Sequence, residues 1–285
     1  MHSISNQEKE NCSRCRGCSA RQSGFCANLD PASLSEFAKR STQRKYGCGA
    51  ELVAQGETGD CIGVIRSGLV KVAAVTEHGD EHLLQVLHSG QLIGVPSDGS
   101  QNFACEVATP AHVCWMPRAT WDMFLQRGTE PLRAYVDTML QQVAELQLFV
   151  TKMRGRSTVQ RVALWILDQI PNSDAQHHPR IDVQLSRRDL AALLYMTVET
   201  LCRALHQLDE EKAIQLVRSD CIDVMDLAKL RERARCPERC TPFPADRVVP
   251  KAAGRGRLRT NAARERLLTI ESSFAGSPAR SIPER

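Results

Sequence analysis

The chain has 285 residues, 42% of them apolar and a quarter charged, with a formal net charge of +4. That length and apolar share suit about two folded domains, and no run approaches the ~18 apolar residues of a membrane span or the apolar core of a leader peptide, so a membrane or secreted protein is not expected. The positive charge is local: Arg231 to Arg285 holds 13 Lys and Arg against 6 Asp and Glu, or +7, which leaves −3 for the remainder.

Four of the twelve cysteines stand near the start, at Cys12, Cys15, Cys18 and Cys26. Thiols two residues apart converge when a short loop folds back, which is how a soft metal or an iron–sulfur cluster is held. A structural zinc knot is the alternative, and Cys12-x2-Cys15-x2-Cys18 also resembles a ferredoxin run. The other eight cysteines are scattered, unlike a secreted disulfide framework, so a cytoplasmic protein with reduced or metal-bound thiols is expected. Cys48, Cys61, Cys105 and Cys221 read as ordinary strand or core residues, and Cys236 and Cys240 as free thiols.

From about Arg44 to Pro117 the texture is β. Short apolar stretches alternate with Gly56, Gly68, Gly79, Gly90 and Gly99, most clearly in Leu69–Val75 and His82–Leu87. Even short strands with turn residues between them predict a sandwich or β-roll. His78, His82 and His88 fall in turns and at the surface, and no catalytic motif stands here.

Next, Leu132, Val136, Met139, Val143, Leu146, Val150 and Met153 recur at spacings of four and three. Val at each a position and Leu or Met at each d predict a parallel two-stranded seam, hence a homodimer; the alternative is an amphipathic helix buried within one domain. After Gly155, Ser157-Thr-Val-Gln160 has capping-box spacing and opens a helix through Ile170. A strand over Ile181–Leu185 follows, then a helix over Arg187–Leu194 capped by Ser186. A break at Tyr195-Met196 leads to a third helix, capped by Thr197 and running to about Glu211. Two short helices across a tight turn make a helix-turn-helix. Ile214–Val217 and Cys221–Val224 form a wing, and Asp226 caps a last helix. Residues beyond about 233 are rich in Pro, Gly, Ser and Arg and predict a disordered basic extension.

The order of these parts resembles the Crp/Fnr family of bacterial transcription regulators. Thr197-Val-Glu-Thr-Leu-Cys-Arg203 is similar to its recognition helix, and Ile65–Lys71 and Thr76–Glu81 to hairpins of its roll. With the cysteines, the similarity is strongest to the branch of oxygen sensors. It implies an α+β fold: a Cys-rich cluster-binding segment (1–30), a jelly-roll-like β-roll (31–130), a dimerisation helix (131–155), a winged helix-turn-helix (156–232) and the basic extension (233–285).

Applied residue by residue, the resemblance assigns a 4Fe–4S cluster to Cys15, Cys18, Cys26 and Cys114, with Cys12 as a possible substitute. It places the dimer seam at Val136, Met139, Val143, Leu146 and Val150, and a contact with RNA polymerase at Gly79 and Asp80. Double-stranded DNA is the partner. Glu199 and Arg203, four apart, read the TGA core of a TTGAT half-site, and Cys202 stands where the pattern has serine. Ser186, Arg187 and Arg188 suit phosphate contacts. Residues 156–230 carry nine basic and eleven acidic side chains, so DNA affinity rests on placement rather than bulk charge. Tyr195 stands where relatives often carry a turn glycine. A cyclic nucleotide is not expected, because Ser67–Pro117 contains no arginine to pair with a cyclic phosphate and Lys71 is the sole lysine there. An enzyme is not expected either. The alternatives are a regulator of the same fold using zinc or bare thiols, or a ferredoxin-like electron carrier.

Overall fold

Two four-stranded antiparallel sheets make the first domain of the computed structural model, which describes residues 15–78, 81–94, 101–170 and 179–235. Cys12, Gly79, Asp80, Cys236, Cys240 and the basic extension lie outside the described residues. One sheet runs β1 (Thr42–Tyr46), β8 (Ala111–Pro117), β3 (Cys61–Ser67), β6 (Leu92–Ile93). The other runs β2 (Glu51–Val53), β7 (Ala104–Val107), β4 (Val70–Val75), β5 (Glu81–Leu87). Side chains alternate across a strand. On β8, Val113 and Trp115 therefore enter the roll interior with Ile65, Val70, Val72, Leu87, Ile93 and Cys105, while Cys114 and Met116 face outward.

The segment Thr76–Glu81 connects two paired strands, β4 and β5, as a hairpin should. Ile65–Lys71 does not. Its two strands, β3 and β4, belong to opposite sheets, so the turn at Gly68 crosses the roll instead of closing a hairpin.

The outer face of the first sheet is covered by a 3-10 turn (Ser19–Arg21), α1 (Phe25–Asn28), α2 (Pro31–Arg40), α3 (Arg118–Gln126) and α4 (Thr129–Met153). Phe25, Phe37, Trp121 and Phe124 pack there with ring centroids 4.9–6.5 Å apart. Neither α2 nor α3 is among the elements expected from the sequence. Asp30 accepts from the N–H groups of Ala32 and Ser33, and Pro31 fills the first helical position, an N-terminal signature that announces α2.

The second core belongs to the helix-turn-helix. It gathers α5 (Thr158–Asp168), β9 (Arg180–Asp182), α6 (Arg187–Leu193), α7 (Val198–Glu210), β10 (Ile214–Arg218), β11 (Cys221–Val224) and α8 (Leu227–Arg233). The helix caps fall where the sequence places them: a capping box at Ser157 and Gln160, Ser186 on Asp189, Thr197 on Thr200, and Asp226 on Lys229. The wing is β10 paired with β11, and β9, shorter than expected, pairs with β11. All the described residues belong to one compact unit. Within it α4 is shared: Ala134 packs in the core over the roll and Met153 in the DNA-domain core.

Candidate functional site: a cysteine cavity and a DNA-reading face

Cys15, Cys18, Cys26 and Cys114 line one small cavity, of about 10 Å³, between the N-terminal segment and the outer face of the first sheet. Cys114 reaches it because of the strand alternation on β8. Its neighbours across the sheet, Gln43 on β1 and Val64 on β3, line the same cavity. Among the described residues, thiols are the only His, Cys, Asp or Glu groups in the lining, and the cations nearby are Arg21 and Arg66. An all-sulfur donor set flanked by guanidinium groups suits a thiolate-bound iron–sulfur cluster. Among the described residues no three His, Cys, Asp or Glu side chains converge closely enough to hold a single metal ion. Cys105 lies elsewhere, inside the roll, where burial pushes its thiol up to about 12 and keeps it protonated.

What fixes the cysteine loop is backbone packing that the sequence did not announce. Gly24 and Gly90 both sit at positive φ, +70° and +89°. A Cβ on Gly24 would stand 2.1 Å from the Gly90 carbonyl oxygen, and one on Gly90 would stand 2.1 Å from that of Ser23. The Phe25 N–H donates to the Gly90 carbonyl at 2.9 Å. Ser19 and Ser89 hydroxyls both donate to the Arg66 carbonyl, at 2.7 and 2.9 Å. The strip beside Gly90 is held in turn by α4: the Leu92 N–H donates to Gln142 Oε1 at 3.0 Å, and Gln91 Nε2 to Glu145 Oε2 at 2.7 Å. Asn28 Nδ2 also donates to Thr138 Oγ1 of α4, at 3.4 Å.

The opposite face of α4 carries Leu132, Val136, Leu140 and Val143, all exposed. This stripe departs from the heptad reading at Met139, Leu146 and Met153. Met139 is half-buried against the core over the roll, Leu146 lines a cavity beside the DNA domain, and Met153 is buried in that domain's core. The physical reason is that α4 must cover its own two domains, so its inward d residues are already in use, and Leu140 joins the free face. Val150 is half-buried.

On the DNA-reading face, Glu199 and Arg203 project from α7, about three-quarters exposed and paired with each other. Cys202 is half-buried between them in sequence. Ser186 caps α6 and also donates to Asp189 Oδ2 at 2.6 Å. Arg188 reaches within 3.7 Å of Glu81 on β5, and Arg187 has one buried Nη without a partner. The structure thus brings all six proposed DNA contacts to the start of α6 and α7.

Residues 160–233 match a Crp-like helix-turn-helix domain and residues 43–127 a cyclic nucleotide-binding domain, together more than half of the chain. A probable transcriptional activator of Rhizobium leguminosarum is 25% identical over 218 residues, covering 76% of this chain and 91% of that protein. The transcriptional activator protein FnrL of Cereibacter sphaeroides is 22% identical over 228 residues, covering 78% and 92%. Among solved structures, FixK2 from Bradyrhizobium japonicum superposes with a TM-score of 0.59 at 18% identity, over 67% of this chain and 96% of that one. The chain belongs to the Crp/Fnr family of transcription regulators.

Crp/Fnr proteins of this kind are DNA-binding regulators and not enzymes, so the electron-carrier alternative is set aside. The match to the nucleotide-binding domain covers the roll, where Lys71 is the one cationic side chain between Ser67 and Pro117. Its ammonium is already committed, at 2.8 Å to Glu106 and 3.1 Å to Asp189 of α6. None of the helices among the described residues is long and apolar enough to cross a membrane.

Proposed function

We propose that this Crp/Fnr chain is a cytoplasmic, homodimeric regulator of the Fnr type, sensing oxygen through a 4Fe–4S cluster on Cys15, Cys18, Cys26 and Cys114 and binding palindromic promoter sites. The observation that supports it most is the grouping of four thiols, with no other ligand type among the described residues, round one cavity beneath β8. When bound, the cluster supplies an oxygen-labile tie between the N-terminal segment and the sheet.

The chain's own residues then carry the signal. With a cluster bound, the three loop cysteines are tied to β8 through Cys114, and Gly24 seats the loop on Gly90. Gln91 and Leu92 pass that position to Glu145 and Gln142 of α4. The exposed stripe Leu132, Val136, Leu140 and Val143 pairs with the same stripe of a second copy. A change of about 3 kcal/mol in that pairing shifts its constant roughly a hundredfold, enough to switch promoter occupancy. At the DNA, Arg203 bridges the two major-groove acceptors of guanine and Glu199 accepts from an exocyclic amine, while Cys202 lies toward a thymine methyl. Ser186, Arg187 and Arg188 hold phosphates. No cyclic nucleotide is needed, and Gly79 and Asp80 contact RNA polymerase.

Protein prepared without oxygen should contain iron and acid-labile sulfide, be dimeric and bind an inverted TTGAT repeat specifically. Air should remove the colour and that binding. Cys15→Ala, Cys18→Ala, Cys26→Ala and Cys114→Ala should each behave like air-exposed protein, and Cys105→Ala should not. Equal specific binding by aerobic and anaerobic protein would overturn the oxygen-sensing reading and leave the DNA-binding assignment standing.

A further inference from the structure

The turn of the helix-turn-helix holds a residue that local backbone chemistry disfavours. Tyr195 has φ +56°, in the left-handed region. It occupies the position after the cap of α6, where the Tyr195 N–H donates to the Ala192 carbonyl and the Met196 N–H to the Ala191 carbonyl, at 3.1 and 3.0 Å. That paired pattern normally selects glycine, since any Cβ crowds the following carbonyl. A bulky aromatic there requires compensation from its surroundings.

The compensation divides into two parts. Arg161 of α5 donates from one Nη1 to the carbonyl oxygens of Leu194 and Tyr195, at 2.7 and 2.9 Å. This clamp grips backbone only, so it would hold any residue in the turn. The tyrosine side chain is therefore not needed to close the turn. What the ring adds is a contact outside the domain's local fold: it meets Phe149 of α4 at a centroid distance of 6.5 Å and an interplanar angle of 45°. Other links from α4, among them Met153 in the core, Phe149 packed against that core and Lys152 to Asp168 at 2.8 Å, end on the body of the DNA domain or on α5. The ring pair ends on the turn itself, two residues before Thr197 caps the recognition helix.

We propose that Tyr195 is a positioning residue: its ring, seated on Phe149, fixes the recognition helix at one angle to the long helix α4 and so sets the half-site spacing that a dimer accepts. The inference rests on the dimeric reading above and concerns geometry, not base contact. Two recognition helices bind two half-sites about one DNA turn apart, so an orientation error at each turn is felt at the palindrome and not at one half-site.

The test measures affinity for three duplexes: inverted TTGAT half-sites one turn apart, the same with one base pair inserted at the centre, and a single half-site. Wild-type protein should prefer the correct spacing. Tyr195→Gly, which also relieves the backbone, should keep its thermal stability and half-site affinity but lose roughly threefold to tenfold of the spacing preference, the worth of an aromatic pair. Phe149→Leu should lose a similar factor, and Tyr195→Phe should keep it. A merely structural turn residue would lower half-site and palindrome binding together, and that result overturns the proposal. So does an unchanged spacing preference in both Tyr195→Gly and Phe149→Leu. If wild-type protein itself showed no spacing preference, the dimeric reading would fall, and the positioning role with it.

Discussion

The cysteine end and the DNA-reading end of this Crp/Fnr chain are built by opposite means. The reading end is assembled from neighbours in sequence: Ser157 with Gln160, Ser186 with Asp189, Thr197 with Thr200 and Asp226 with Lys229 each settle a helix start within three residues. The cysteine end is assembled from partners far apart: Gly24 against Gly90, Ser19 on Arg66, Asn28 on Thr138. A module closed by local contacts keeps its shape through a signal. One seated mainly by distant contacts holds its place only while they are made, so it can open without unfolding the rest.

The same contrast explains what was legible in the sequence. Caps, periodicity and turn residues are local signals, so the wing, all four capped helix starts of the DNA domain and the paired strands at Leu69–Val75 and His82–Leu87 follow from them. The four thiols of the cavity were readable as residues, and the strand alternation accounts for Cys114 facing the loop. The seat at Gly90 was not readable. Nothing near Gly90 in sequence marks it as the place where another glycine arrives from 66 residues away. The free face of α4 was misplaced at Met139 and Met153 because periodicity reports an apolar stripe without saying which neighbour it covers.

The comparison is broken most severely at Gly24. Gly24→Ala forces a Cβ into the Gly90 carbonyl and an alanine into a backbone region (φ +70°, ψ −149°) open to glycine. Together these should cost about 3 kcal/mol or more in docking of the loop. We expect anaerobic reconstitution to yield little bound iron and sulfide, with the DNA domain still folded by circular dichroism. Full iron incorporation by Gly24→Ala would show that the loop has another seat.

The reading end is tested one step down in magnitude. Arg203→Ala should cost about 1–3 kcal/mol and flatten the preference at the guanine it reads. Arg187→Ala should weaken all sequences about equally and lower the salt slope by about one unit. Competition against duplexes changed at single positions separates the two. An unchanged sequence preference in Arg203→Ala would mean that α7 is not the reading helix. Neither variant should alter iron content, because no contact described above joins their side chains to the cysteine cavity.

Lys71 is one of the places where the two halves touch, and it carries the smallest effect. Its ammonium lies on β4 of the roll, buried, and reaches Asp189, 118 residues away on α6. Burial opposes the charge, but hydrogen bonds and attraction from Glu106 and Asp189 outweigh it and raise the Lys71 pKa above its ordinary value. A raised pKa in the folded state contributes stability that is fully present below the unfolded value of about 10.4 and is lost as pH rises through the folded value. Both carboxylates keep some access to water, so the contribution should be a few tenths to about 1 kcal/mol. Lys71→Met removes the titrating group while keeping its apolar stem. Denaturant unfolding from about pH 8 to about pH 11 should therefore show wild type the more stable at the lower end, with the difference closing as the lysine deprotonates. A difference that stays constant across that range would mean that the Lys71 ion pairs do not hold α6 to the roll, and that α4 and the packing of α6 on β5 join the two ends.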